Sequence, residues 1–474
     1  MKKTKKSKKS SKKKGGLLSG ILKGVNVEVK SVKNERKAPK KAKHVKAKSA
    51  KHAKKHKDLF DSFLDTVKVD VKAVKGEIKE KETSIFGRLE EIKNKMVKAT
   101  RETKIKEILE SYDKASITIG VLGGHSALDV CRGAKKLGFK TVAVCVKGRE
   151  QTYAKYYKKR EDGRGIIDEI ILVDKFGDIV NRDVQEKLRE LNTIFIHNRY
   201  FWVYCDFKKI ESEFKVPIFG TRTMLKLEER DVPKNQYYLL EKAGIRIPKL
   251  YKDPKKIDKL VIVKVAEAAR GYERAFFFCN NYESYKQKSE DMLKNKAITK
   301  EALQKAVIEE YIIGAQVNFN YFYSPLTGEL ELMGTDTRRQ TNIDGLLRLP
   351  ADVQLEVLKY LKPKLIETGH IAVTTKESIL EKIFSIGEKF VAACKKEHPP
   401  GIIGPFALQG SVVAEEGKED IVIFDVSMRI PGSPGTISTP YSGYLYGESI
   451  SYGERIAMEL KKALEENKLE LICT

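Results

Sequence analysis

Paired cysteines are missing from this sequence. The six it has, Cys131, Cys145, Cys205, Cys279, Cys394 and Cys473, are scattered with no CxxC spacing. That excludes a zinc ribbon or a dense disulfide frame and reads as the reduced thiols of a cytoplasmic chain. Long apolar runs are missing too: none nears the roughly 18 residues a membrane span requires. The apolar stretch Leu17–Leu22 is broken by Ser19 and Gly20 and no small-residue cleavage pattern follows, so neither a signal peptide nor a membrane partner is expected. Acidic residues are scarce in residues 1–57, where Glu28 and Glu35 stand against 22 Lys and Arg36, a net of +21. The whole chain has 92 Lys+Arg against 65 Asp+Glu, a net of +27, which leaves +6 for everything beyond residue 57. Spread evenly, such a charge would suggest a nucleic-acid binder; here it describes an arm.

What remains is ample for folding. The 474 residues suggest two to four domains at roughly 150 residues each, and 41% hydrophobic content excludes a wholly disordered chain. The Lys-rich arm, 1–57, is too densely charged to collapse and is expected to be disordered. Within it, Leu17–Lys33 (LLSGILKGVNVEVKSVK) matches Leu59–Lys75 (LFDSFLDTVKVDVKAVK) at eight of seventeen positions. Each copy joins a short apolar cluster to Val alternating with polar residues, a small helix followed by a one-faced strand. Residues 58–103 form a linker holding the second copy and the start of a proline-free helical stretch, 85–113. From Ile117 onward, apolar strands (ITIGVL, TVAVCV, IIDEIILV, TIFIHN) alternate with helical periodicity, which predicts an α/β domain with a parallel sheet and right-handed crossovers.

Several segments carry candidate chemistry. Gly123-Gly124-His125-Ser126 forms the first strand-to-helix turn. Free N–H groups and the helix dipole suit that position to a phosphate, with His125 as a donor, although a plain tight turn would read the same. Leu260–Arg274 is a strand carrying Lys264, then a loop with Arg270, Gly271 and Arg274; basic side chains so placed can hold nucleotide phosphates. Ala306–Gly314 (AVIEEYIIG) is an apolar strand interrupted by Glu309 and Glu310, which is awkward unless one acid faces a ligand or a cation. In the hairpin around Pro325–Gly328, Asn318, Asn320 and Phe322 share one face and Val317, Phe319, Tyr321 and Tyr323 the other. Asp336, Arg338, Arg339, Asn342 and Asp344 follow in what reads as a polar loop. A second hairpin, centred on Gly417, places Gln409 opposite Asp425. Directly opposed residues have Cβ atoms about 4.5–5.5 Å apart, and two oxygen ligands so spaced suit Mg²⁺ held between protein and phosphates. Ser427 and Arg429 continue the Asp425 face towards a substrate phosphate.

The ordered set GGHSALDV, KGRE, IFGTR, LLEKAGIRIPK, VIEEYIIGA, NFNYFYSP, NIDGLLRLPA, TGHIAV, PPGIIGPFALQ, FDVSMRI and TPYS resembles the archaeal formate-dependent 5-formaminoimidazole-4-carboxamide ribonucleotide synthetases, ATP-grasp ligases of purine biosynthesis. The resemblance runs from about Lys104 to Thr474 and leaves out the arm and the repeat. It implies an ATP-grasp fold: an N-terminal parallel-sheet domain at 104–231, a small ATP lid at 232–305 and a mixed C-terminal domain at 306–474. It also implies a homo-oligomer whose substrates are ATP, formate and aminoimidazole carboxamide ribonucleotide, with Mg²⁺ (or Mn²⁺). In family terms Lys264 contacts ATP phosphates and Glu309, Glu310, Tyr311 and Ile312 form the adenine hinge; Arg270, in a loop that differs from the family's, is expected to add a side-chain contact to the phosphates. His125, Ser126, Tyr200, Asn318, Asn320, Arg338 and Asn342 line the substrate side. Gln409 and Asp425 hold the metal, and Arg429 sits beside them as the catalytic cation.

The chain departs from the family pattern in three places. The loop after the strand Lys reads AEAARGYER, with a single glycine, so successive N–H groups cannot cradle phosphates as closely. Tyr200, with Arg199 beside it, stands where the family carries Ser. Asp425 replaces the usual Glu. Two further readings therefore stand beside the first: a paralogous ATP-grasp ligase joining another carboxylate and amine, and a nucleotide-binding protein recruited to nucleic acid or an acidic partner by its arm.

Overall fold

The computed structural model describes residues 102–230, 232–265, 276–361, 366–432 and 434–474. The arm, both repeat copies, most of the linker and the loop with Arg270, Gly271 and Arg274 lie outside the described residues; of the helical stretch expected over 85–113, residues 102–113 are described, and the helix ends at Ser111.

Strand-helix alternation yields the expected parallel sheet. Its strands are β1 (Thr118–Leu122), β2 (Lys140–Val146), β3 (Glu169–Val173), β4 (Thr193–Ile196) and β5 (Ile218–Phe219), in the order β3-β2-β1-β4-β5 with every neighbour parallel. All of β1 is buried, as a parallel strand covered on both faces requires. The helix Ala127–Lys136 turns Ala127, Val130, Cys131 and Ala134 inward. It stops where Gly138 takes a left-handed φ of 91°, the conformation that ends helices cheaply only at glycine.

This sheet is not completed by residues 104–231 alone. The helix Tyr452–Glu465 packs on the helix Ala127–Lys136 at glycine distance: a Cβ on Gly133 would lie 2.1 Å from the Gly453 backbone. The Gly453 N–H donates to Asp129 Oδ2 at 2.9 Å, and the Ile218 N–H donates to the Thr474 carbonyl at 3.0 Å. Ile456 and Leu460 share one core with Ile119 and Val130, so the last part of the chain belongs physically to the first sheet.

Strands β6 (Leu250–Tyr251), β7 (Val261–Lys264), β8 (Phe276–Cys279) and β9 (Val307–Glu310) form the second sheet, in the order β6-β9-β7-β8. Because β9 pairs with β6 and β7, this sheet runs on past residue 305, where a domain boundary was expected.

The third sheet holds β10 (Ala315–Ser324), β11 (Glu329–Gln340), β12 (Glu367–Ala372), β13 (Gly404–Glu415) and β14 (Lys418–Ser427), antiparallel in the order β12-β11-β10-β13-β14. Phe319, Tyr321, Phe406 and Leu408 pack from one face onto Ile383 and Phe390 of the helix Leu380–Glu397; burying each side chain this size stabilises by about 1.5–3 kcal/mol. Phe322 packs the other way, into the core of the parallel sheet. The polar loop expected over residues 336–344 is instead the end of β11 followed by a short helix, Thr341–Leu346. The stretch reads as polar because one face of the strand lines a cavity, not because it leaves the sheet.

Candidate active site

Register assembles the site. Directly opposed residues across the third sheet run Asp336 on β11, Asn318 on β10, Gln409 on β13 and Asp425 on β14. One line of polar side chains therefore crosses four strands on the face away from the apolar core.

The last step of that line depends on a bulge. Glu416 and Gly417, with φ of 51° and 74°, make the two-residue turn with positive φ that suits a hairpin, and Glu415 pairs with Lys418. Continued regularly, this register would set Gln409 against Phe424. The register shifts between Gln409 and Gly410, Phe424 is left over, and Gln409 meets Asp425. The surplus residue has a use: the Phe424 carbonyl accepts from Lys264 Nζ at 3.3 Å, and its ring lies 5.4 Å from that ammonium. Bulges of this kind re-aim side chains beside sites.

One cavity opens between the second and third sheets. Ile262, Phe276, Phe278, Tyr311 and Ile312 give it apolar walls, and Lys264, Glu309, Glu310, Arg230, Gln409 and Asp425 supply charge and polarity. Glu309 is buried, ion-paired with Lys264 and bonded to the Tyr237 hydroxyl. Glu310 pairs with Lys259 at 2.8 Å. Both acids of β9 thus face cations, as their place in an apolar strand demands. Burial pushes the Lys264 ammonium below its ordinary pKa, with Glu309 opposing. Arg230, not anticipated from sequence, binds Asp425 Oδ1 at 2.9 Å.

A second cavity adjoins the first. His125, Arg199, Tyr200, Asn320, Asp336, Glu367, His370, Ser427 and Arg429 line it, and Asn318, Arg338 and Gln409 line both. Three arginines converge here, a setting for an anionic ligand. Arg429 is buried, with Glu228 Oε2 3.5 Å from its guanidinium. Desolvation, then Arg429 and Arg199, push the His125 imidazole down to about 3; its ring opens to the cavity while protein surrounds it. Ser126 Oγ donates to the Pro431 carbonyl at 2.6 Å and lies 3.1 Å from His125 Nδ1. With the Ser hydrogen committed to Pro431, the tautomer that carries its proton on Nδ1 can donate to Oγ and leaves a lone pair on Nε2. Ser126 itself is buried and spent on Pro431. Tyr200 covers the glycine turn: a Cβ on Gly124 would lie 2.1 Å from its ring.

Asp336 is the hub of this second cavity and is fully buried. It accepts from Asn318 Nδ2 and Asn320 Nδ2, both at 2.6 Å, and lies 2.5 Å from His370 Nδ1. His370 Nε2 reaches Glu367 at 2.9 Å, and Arg338 reaches the same carboxylate at 3.2 Å. Burial alone would lower the His370 pKa; hydrogen bonds to Asp336 and Glu367 outweigh it and raise the imidazole to about 9. Of the residues expected at the site, Asn342 sits in the helix Thr341–Leu346 and lines neither cavity, and Arg270 lies outside the described residues. Asp336, Glu367 and His370 received no role from sequence; the TGHIAV motif was the available signal for His370.

The donors also suit a cation held largely by phosphates. Among the described residues no three His, Cys, Asp or Glu side chains cluster as a closed metal cage. One carboxylate, Asp425, and one amide oxygen, Gln409, stand in line at the cavity, which matches a divalent ion completed by phosphate and water.

Comparison with known proteins agrees with this architecture. Residues 119–251 match a family model described as a protein of unknown function (DUF1246), and residues 284–474 match a domain of unknown function (DUF1297). A curated relative from Methanocaldococcus jannaschii, named 5-formaminoimidazole-4-carboxamide-1-(beta)-D-ribofuranosyl 5'-monophosphate synthetase, is 41% identical over 371 residues, covering 78% of this chain and 98% of the relative. One from Methanothermobacter thermautotrophicus with the same name is 42% identical over 382 residues, 80% of this chain and 100% of the relative. The crystal structure of an IMP biosynthesis protein PurP from Thermococcus kodakaraensis superposes with a TM-score of 0.54 at 27% identity, over 75% of this chain and all of that one. The fold is ATP-grasp, and the chain belongs to the 5-formaminoimidazole-4-carboxamide ribofuranosyl monophosphate synthetase family of ATP-dependent, ADP-forming ligases.

Proposed function

We propose that the chain formylates aminoimidazole carboxamide ribonucleotide with ATP and formate, on the way to IMP. The observation that carries this reading is the meeting of two cavities, one apolar-walled with a buried lysine and one rich in arginine, at Asn318, Arg338 and Gln409. Formate takes the γ-phosphoryl group of ATP, and the 5-amino nitrogen then attacks the formyl carbon. Phosphate leaves, the amine loses a proton, and the formamide and ADP remain. Little covalent chemistry falls to the protein; positioning and charge neutralisation do the work.

In this reading Lys264 holds ATP phosphates, and Tyr311 and Ile312 border the adenine. Arg429 and Arg338 neutralise charge where the cavities join. Gln409 and Asp425 would hold Mg²⁺ (or Mn²⁺), which neutralises phosphate charge when bound. Arg199 and the turn at Gly124 face the ribonucleotide, with Tyr200 narrowing its entrance. The cytoplasm, where ATP and purine precursors occur, is the proposed location.

The test is direct. Pure protein with ATP, Mg²⁺, formate and the ribonucleotide should release ADP and the formamide in equal amounts. ADP release supported only by other amines would replace this substrate with another and favour a paralogous ligase. Turnover unchanged on deleting residues 1–57 is expected, since that arm carries +21 on its own and no residue assigned to the site. A lysine arm of this charge should bind acidic polymers with a steep salt dependence.

A further inference from the structure

Asn320 presents an unsatisfied acceptor. The residue is fully buried and lines the second cavity, and its Oδ1 has no hydrogen-bond partner. Its Nδ2 is committed, to Asp336 Oδ2 at 2.6 Å and to the Asn318 carbonyl at 3.4 Å. A buried polar atom left without a partner costs roughly 1–3 kcal/mol, so an acceptor in the wall of this cavity gains from any donor a ligand brings to it.

The orientation of this amide is fixed by charge. Asp336 receives an imidazole on one oxygen and an Asn amide on each. An ionised carboxylate only accepts, so both asparagines must turn their NH₂ groups towards it. Turning Asn320 over would set its oxygen against a carboxylate. His370 in turn is anchored by Glu367, so the carboxylate cannot rotate away from the amides. Asp336 thus acts through Asn320, on a face where Ala407 and Ser427 are the neighbours in register.

We propose that Asp336 and His370 form a positioning pair that locks the Asn320 amide, so that its Oδ1 reads an N–H donor on the base of the bound ribonucleotide. This rests on the substrate reading above and adds to it the atom that distinguishes an amino- or carboxamide-bearing base from one without such a donor. An oxygen acceptor rewards N–H and repels a carbonyl or ring lone pair, and a buried one has no water to fall back on.

The experiment compares two probes by calorimetry on the full chain: the ribonucleotide, and ribose 5-phosphate, which has the phosphate and sugar but no base. In Asp336→Asn the new amide can donate to Asn320 and lets it turn over. Ribonucleotide affinity should fall about tenfold, while ribose 5-phosphate and ATP stay within twofold. In steady state KM for the ribonucleotide should rise and KM for ATP should not. His370→Gln retains a donor towards Asp336 and should keep most of the preference for the base. If Asp336→Asn is unfolded at the assay temperature, Asn320→Ala removes the acceptor and carries the same expectation. A parallel loss of ribose 5-phosphate binding, or unchanged ribonucleotide affinity in an enzyme that turns over, would overturn the inference alone. If the unsubstituted chain neither binds nor formylates the ribonucleotide, the substrate reading falls and this inference with it.

Discussion

Gln409 and Asp425 stand directly opposite each other in the β13–β14 hairpin because Phe424 is bulged out between Ile423 and Asp425. The bulge sets the reach of Lys264 as well, since the displaced residue supplies the carbonyl its ammonium bonds. Gln409, Asp425 and Lys264, the residues proposed for the metal and the phosphates, are thereby placed by one irregularity of the sheet.

Asp425→Asn should cut ADP formation by about 10²–10³-fold, the usual cost of losing one strong contact to transferring charge. A steady-state coupled assay measures it, and activity near that of the unsubstituted chain would remove Asp425 from the site. Asn is preferable to Ala, because its amide oxygen can still accept the hydrogen bond from Arg230, which is buried against this side chain.

Lys264→Met should weaken ATP binding roughly ten- to a hundredfold, the worth of a charge-assisted hydrogen bond. It should also lower stability, because Glu309 is buried against Lys264. The double variant Lys264→Met/Glu309→Gln should recover much of the thermal midpoint and none of the ATP affinity. Recovery of both would assign the pair to packing alone.

His370 predicts a pH dependence of stability. The groups around it are Asp336 and Arg338 on β11, Glu367 on its own strand, and His125 from the turn after β1. Its pKa rises from 6.5 to about 9 on folding, so the folded state binds its proton more tightly than the unfolded one. The resulting stability is present in full below about 6.5 and is lost as pH climbs through 9. Urea unfolding of the unsubstituted chain and of His370→Gln should diverge below this window and converge above it. Parallel curves across the whole range would contradict the pairing.

Gly133→Ala should destabilise by about 1–3 kcal/mol, the cost of overpacking, because its Cβ would meet the Gly453 backbone at 2.1 Å. Thermal unfolding checks it. A lost midpoint with normal KM values in the surviving fraction would show that this helix contact holds the fold and not the site.

Much of the site was legible locally. Glu309 and Glu310 announced cations by sitting in an apolar strand, and both have one. Asn318 and Asn320 announced a polar face, and Phe322, also assigned to it, does point opposite to Phe319 and Tyr321, into the other core. The stretch from Asp336 to Gln340 was misread because polarity suggests solvent, whereas here it lines a cavity within a strand. His370 and Glu367 received no role, although TGHIAV marked the position of His370, because their partners, Asp336 and Arg338, lie on the neighbouring strand, some thirty residues away, and only β11–β12 pairing brings them together.

The sequence by itself determined the strand-helix alternation from Ile117, the parallel first sheet, the family and the segregation of charge into an arm, because periodicity, turn chemistry and motif order are local properties. Tertiary structure alone decided the Phe424 bulge, the acceptor at Asn320 and the return of the last helices to the first sheet. Each depends on which strand or helix lies alongside, and contacts between residues far apart in sequence leave no periodic trace in it.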